Sequence, residues 1–243
     1  MIPALIWGFV GAASLLIGAI VALRRPPSQR IVGLIMGFGA GVLISALSFE
    51  LVGKAAIIEG GLGGITLGLY AGCAVFAIGD RLLQRWAGPG VDDPATEEAG
   101  SGLSLALGAL LDGVPECMVL GLTILQGGQI GLSMLVAVFI SNLPEGIAAT
   151  VTLRRSGWPE ARVIRTWALI VVACGLASPA GYLLLGSASP WTIAVIFSFA
   201  AGAILTMLAT SMMPTAYRLA GRSVGPLTVA GFALAFAINW VAG

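Results

Sequence analysis

Apolar runs of about 20 residues recur along almost the whole chain, and they constrain its fold more than any motif does. A helix of that length crosses a hydrocarbon core of about 30 Å. We read eight such runs, at 3–23, 31–53, 61–82, 102–125, 130–153, 163–186, 191–213 and 225–242. Only 9% of the 243 residues are charged and 58% are hydrophobic, too little polar surface for a soluble domain. In lipid the backbone must pair its own N–H and C=O groups, so the expected fold class is all-α membrane protein with eight transmembrane helices. The whole chain, 1–243, reads as one transmembrane domain. Its 35 glycines suit helices that pack backbone against backbone. A net charge of +1 gives no reason to expect a nucleic-acid partner.

The connections are short except for 83–101, whose Pro89, Asp92, Asp93, Pro94, Glu97 and Glu98 read as a solvated linker. Basic residues orient the chain. Arg24, Arg25 and Arg30 follow run 1, and Arg81 and Arg85 follow run 3. Arg154, Arg155, Arg162 and Arg165 follow run 5, and Arg218 and Arg222 follow run 7. Alternating connections place every arginine on one side and Lys54, the single lysine, on the other. The arginine side is expected to be cytoplasmic, with 83–101 as a cytoplasmic loop and both termini outside a plasma or inner membrane. With no basic residue before run 1 and two arginines after it, that run is expected to be a mature span and not a cleaved leader.

Run 2 carries Phe38-Gly39-Ala40-Gly41-Val42-Leu43-Ile44-Ser45-Ala46-Leu47, and run 7 carries Phe199-Ala200-Ala201-Gly202-Ala203-Ile204-Leu205-Thr206-Met207-Leu208. Phe, Ala, Gly and Leu coincide, and Ser45 faces Thr206. The two runs point opposite ways, so spans 1–3 and 6–8 are expected to form an inverted repeat around spans 4–5. Such repeats recur in secondary transporters because pseudo-symmetry supplies two near-equivalent open states.

Most acidic residues lie in or beside connections. Asp80 ends run 3 beside its connection, and four others lie inside runs: Glu50, Asp112, Glu116 and Glu145. A carboxylate within the bilayer costs several kcal/mol, and it persists where a pathway, a counter-charge or a bound ion compensates. No Lys or Arg lies in the middle of any run, which leaves protonation or a cation. Glu50 is the exception, because Lys54 follows at helical spacing and an interfacial ion pair competes with a pathway role.

Runs 4 and 5 share a pattern, Asp112-Gly113-Val114-Pro115-Glu116 and Ser141-Asn142-Leu143-Pro144-Glu145. In each, a polar side chain sits four residues before the glutamate and shares its helical face. In each, a helix-breaking proline, Pro115 or Pro144, withholds an N–H from the carbonyl four residues back, Leu111 or Ile140. Kinks there would free carbonyl oxygens beside the acids, and only 126–129 separates the two runs. Oxygen donors at one depth make a hard site for a divalent ion. Cys73, Cys117 and Cys174 lie in apolar runs and read as small buried hydrophobes. Histidine is absent.

At these motifs the sequence resembles the ZIP (Zrt/Irt-like) family of metal transporters, whose members have eight spans, outside termini and a longer loop after span 3. Asn142-Leu143-Pro144-Glu145-Gly146 is similar to the family's span-5 signature, Pro115-Glu116 matches part of the span-4 signature, and Asp80-Arg81 also looks familial. The resemblance covers essentially the whole chain. It implies that Glu116 and Glu145 bridge the transported metal, with Asp112 and Ser141 as neighbours and Asn142 at a second position.

Departures bear on the ion. Asp112 stands for the usual histidine, Gly113 for asparagine and Ser178-Pro179 for Glu-Pro. Thr210-Ser211 and Pro214-Thr215 replace His-Glu and Pro-Glu, which leaves Ser178, Ser211 and Glu50 as pathway candidates. All-oxygen sites tilt away from zinc toward magnesium, manganese or calcium. The expected cargo is one divalent ion of the zinc, manganese, iron or magnesium class, with no prosthetic group. The expected partners are the bilayer and that ion; a homodimer is compatible with the sequence. An enzyme is not expected, since Asp112 is the one aspartate deep in a run and no histidine exists to act as base. The alternative is a relative that has lost metal transport, or that uses its carboxylates for proton-coupled transport of another solute.

Overall fold

The computed structural model describes residues 1–59, 61–86, 106, 108–110, 113–124, 132–184 and 188–242. Among these the chain is helical apart from short turns, with no strand. We number the helices α1 (Ile2–Arg24), α2 (Gln29–Ala46), α3 (Lys54–Glu59), α4 (Gly63–Trp86), α5 (113–124), α6 (Leu132–Arg155), α7 (Glu160–Leu184), α8 (Pro190–Met207), α9 (Met213–Ala220) and α10 (Val224–Ala242). Six stretches are long and apolar enough to cross a membrane. The last, Pro190–Val241, runs 52 residues and is divided at Gly221, whose φ of 62° only glycine adopts cheaply. The predicted span 31–53 proves longer, since helix continues to Glu59. The expected loop 83–101 begins as helix through Trp86, and its remainder lies outside the described residues.

Local chemistry sets several of the ends. Ser28 and Ser189 cap α2 and α8 by accepting from the Ile31 and Thr192 amides at 3.4 and 3.2 Å. Glu59 caps α4, its carboxylate accepting from the Gly64 and Ile65 amides at 2.8 and 3.2 Å. Gly157, at a φ of 81°, turns the chain between α6 and α7. Beyond that turn the Arg162 guanidinium stacks 3.8 Å over the Trp158 ring.

Two helices change pitch midway. A π-helical stretch, Leu47–Gly53, follows α2 directly, and another, Leu208–Met212, follows α8. Each opens on the final leucine of the ten-residue match between runs 2 and 7.

Glycines then decide which helices touch. Gly18 of α1 faces the Leu143 carbonyl of α6, and Gly146 of α6 faces the Leu15 carbonyl of α1. The same reciprocal contact joins α5 to α7 through Gly121 at Ser178 and Gly181 at Met118. It joins α2 to α10 through Gly41 at Thr228 and Gly231 at Phe38, and α4 to α8 through Gly72 at Phe199 and Gly202 at Leu69. A Cβ at any of the eight would lie within 3.0 Å of backbone oxygen, so no side chain fits. Lipid gives helices no hydrophobic drive to associate, and such approach supplies the dispersion contact that replaces it.

The helices fall into two groups. α1, α5, α6 and α7 share a core around Leu15, Cys117, Leu153 and Trp167, where the buried Trp167 indole donates to the Thr150 hydroxyl at 2.8 Å. α2, α4, α8 and α9 share the larger core around Met36, Leu43, Phe197 and Leu208, which α5 and α6 also enter through Leu120, Leu135 and Val138, with α10 packed along α2. α2 crosses onto α6, and that crossing holds the acidic motif.

Candidate metal pathway

α6 runs unbroken through Pro144, which withholds one N–H from the ladder halfway along the helix. Its neighbours occupy two sides of the motif. α1 lies against Leu143, Gly146 and Ile147. α2 lies against Ser141 and Pro144, where a Cβ on Gly39 would come 3.2 Å from Pro144 Cγ and 3.7 Å from Ser141 Cα. Helical spacing puts Asn142 and Glu145 together on the remaining side.

That side is dry. Asn142 is 1% exposed and Glu145 7%. Both amide atoms of Asn142 are buried without a hydrogen-bond partner among the described residues. A buried amide left so costs about 1–3 kcal/mol, which a ligand could recover. Ser141, fully buried, spends its proton on the Val138 carbonyl at 3.1 Å, so its oxygen keeps lone pairs to offer.

Glu116 on α5 is also fully buried. α1 connects the two motifs. Its Gly8 carbonyl lies 3.9 Å from the sulfur of Cys117, beside Glu116, and its Leu15 carbonyl presses on Gly146, beside Glu145. Those two points are about 10 Å apart along the α1 axis. Between them Gly11 meets Leu120 of α5 together with Leu135 and Val138 of α6. Both helices thus lean on one short stretch of α1. Among the described residues no three Cys, Asp or Glu side chains converge, and Asp112 lies outside the described residues.

The other candidates sit elsewhere. Ser178 is fully buried, but its hydroxyl donates to the Ala4 carbonyl at 2.8 Å and its own carbonyl presses on Gly121. It serves the α1–α7–α5 junction. Ser211 lies half-buried in the second π stretch beside Met212, whose methyl would come 3.1 Å from a Cβ on Gly39. That stretch therefore reaches the acidic motif through Met212, a residue that sequence reading passed over because a methionine in an apolar run carries no distinguishing mark. Glu50 stands about 15 Å along the helix from Gly39, in the first π stretch. Its Oε2 pairs with Lys54 Nζ at 2.5 Å, as the spacing predicted, and its Oε1 accepts from the Asn239 amide of α10. Asn239 was also missed, although it and Asn142 are the chain's two asparagines and both fall in apolar runs.

The chain is 28% identical to the zinc transporter ZIPB of Bordetella bronchiseptica, over 99% of this chain and 81% of that protein. It is 26% identical to the zinc transporter ZTP29 of Arabidopsis thaliana, over 91% of this chain and 87% of that protein. The family model described as ZIP Zinc transporter matches residues 87–238. That match spans more than half of the sequence and includes both proline–glutamate motifs, and by it this multi-pass membrane protein belongs to the ZIP family of metal transporters.

Proposed function

We propose that the chain carries a divalent cation through an oxygen-donor site between α5 and α6, formed by Asp112, Glu116, Ser141, Asn142 and Glu145. The observation that carries this reading is the burial of Glu116, Asn142 and Glu145 beside Pro115 and Pro144, against the same stretch of α1. Glutamates so placed cost several kcal/mol without a cation or proton, and a doubly charged ion offsets that cost. The unpartnered Asn142 amide adds a further hard donor.

The frame we propose is eight spans, with 1–3 and 6–8 in inverted repeat around 4–5 and both termini outside. Support comes from matching contacts. The alignment that pairs Phe38 with Phe199 also pairs Gly41 with Gly202 and the onset of one π stretch with the other. The α2–α10 glycine contacts then become the α8–α4 contacts, and α1–α6 becomes α7–α5.

The relatives are named zinc transporters. Without histidine, this donor set favours a harder ion than zinc, or broad selection among divalent ions. Uptake by purified protein in liposomes tests the proposal. Glu116→Gln and Glu145→Gln should each lower uptake roughly a hundredfold or more while the protein stays folded by size exclusion. Manganese should compete with zinc at comparable concentration. Normal uptake by either variant sinks the site, and strong zinc preference sinks the ion class.

A further inference from the structure

The Glu50 cluster lies at the end of α2 opposite the arginines, and the transport chemistry above makes no use of it. Glu50 is 4% exposed. Two helices hold its carboxylate. Lys54 contacts one oxygen from the following turn of the same helix, and Asn239 of α10 donates to the other. The Glu50 carboxylate is a donor that a hard divalent cation takes, the Asn239 N–H steadies it from the other helix, and the ammonium stands where a cation would stand.

The three groups differ in freedom. Glu50 is fixed by its neighbours, since Phe49 packs against Phe232 and Phe236 with centroids 6.2 and 5.2 Å away. Asn239 lies between Phe236 and Trp240 in sequence, which are themselves in ring contact at 6.3 Å. The Lys54 side chain is 38% exposed and ends in a mobile four-carbon stem. Lysine can swing out to water at little cost; the carboxylate and amide cannot follow it.

We infer that Lys54 is a tethered competitor that occupies a divalent-cation position at the Glu50 carboxylate, which Asn239 holds in place, so that an arriving ion must displace its ammonium. The lysine sets how much cation the mouth requires. It also prevents the position from becoming a trap, since the ammonium returns and helps expel the ion. The role in conduction rests on the transport reading; the cation position itself does not.

Two measurements test it separately. In liposome uptake of manganese, Lys54→Gln should lower the half-saturating concentration roughly three- to tenfold with an unchanged maximal rate. Glu50→Gln should raise that concentration, because the lysine charge then stands uncompensated. In detergent, manganese should raise the melting temperature of the Lys54→Gln/Glu145→Gln protein, and adding Glu50→Gln should remove that rise. Glu145→Gln disables the proposed central site, so this signal reports the outer position alone. Unchanged half-saturation in Lys54→Gln, with no Glu50-dependent manganese shift, would make the cluster a structural ion pair and overturn the inference. No uptake by the wild type, together with the manganese shift, would reject the transport reading and leave the cation position standing.

Discussion

Among the described residues glutamate is buried at the paired motifs of α5 and α6 and just beyond α2, and the two places are built differently. At the centre of α6, backbone does the holding: Gly146 and Gly18 bring α1 against the motif, and Pro144 and Ser141 take the other side against α2. At the end of α2, side chains do it, through Lys54, Asn239 and a group of phenylalanines. The centre has no lysine or arginine in its span; the end carries its own cation four residues away. Backbone packing fixes positions tightly because nothing in it can rotate away. Side-chain packing permits exchange, since a rotamer change removes one partner and leaves the rest. Under the functions proposed above, a site that selects an ion suits the first construction, and a mouth that admits and releases one suits the second.

The contrast can be broken by substitution. Gly146→Val places a branched side chain on the Leu15 carbonyl, and we expect a loss of about 3 kcal/mol or more, seen as little folded protein by size exclusion. Asn239→Ala removes one donor from the Glu50 carboxylate and should cost about 1–2 kcal/mol in thermal unfolding while the protein still folds. Should these two variants be equally destabilised, the distinction between backbone-held centre and side-chain-held mouth fails. Thr150→Val deletes the acceptor for the Trp167 indole within the α6–α7 core and sets the scale, at about 1 kcal/mol. It should leave manganese half-saturation unmoved, because Thr150 lies beyond the motif toward the arginine end of α6.

What the sequence disclosed followed from chemistry that repeats locally. Length and apolarity marked the spans, and spacing of four marked the Glu50–Lys54 pair. Paired proline–glutamate motifs pointed at Glu116 and Glu145, both of which prove buried. The π stretches were not legible. Such a stretch differs from α-helix by where each N–H finds its carbonyl, and no residue type announces that choice. Asn239 was hidden for another reason, since its contact with Glu50 joins opposite ends of the chain. Ser178 looked like a substituted ligand because sequence cannot tell a hydroxyl that faces a channel from one spent on a neighbouring carbonyl.

The reciprocal glycines have a consequence for how this protein can vary over time. At eight positions even an alanine Cβ would press on facing backbone, and they fall into four couples in which each partner's constraint exists because of the other's backbone. Relief therefore cannot come from a second substitution at the facing residue, as it can when two side chains collide. Only a shift of a whole helix would make room. Lineages of such a protein should drift freely over their lipid-facing leucines and valines while these eight glycines stay fixed.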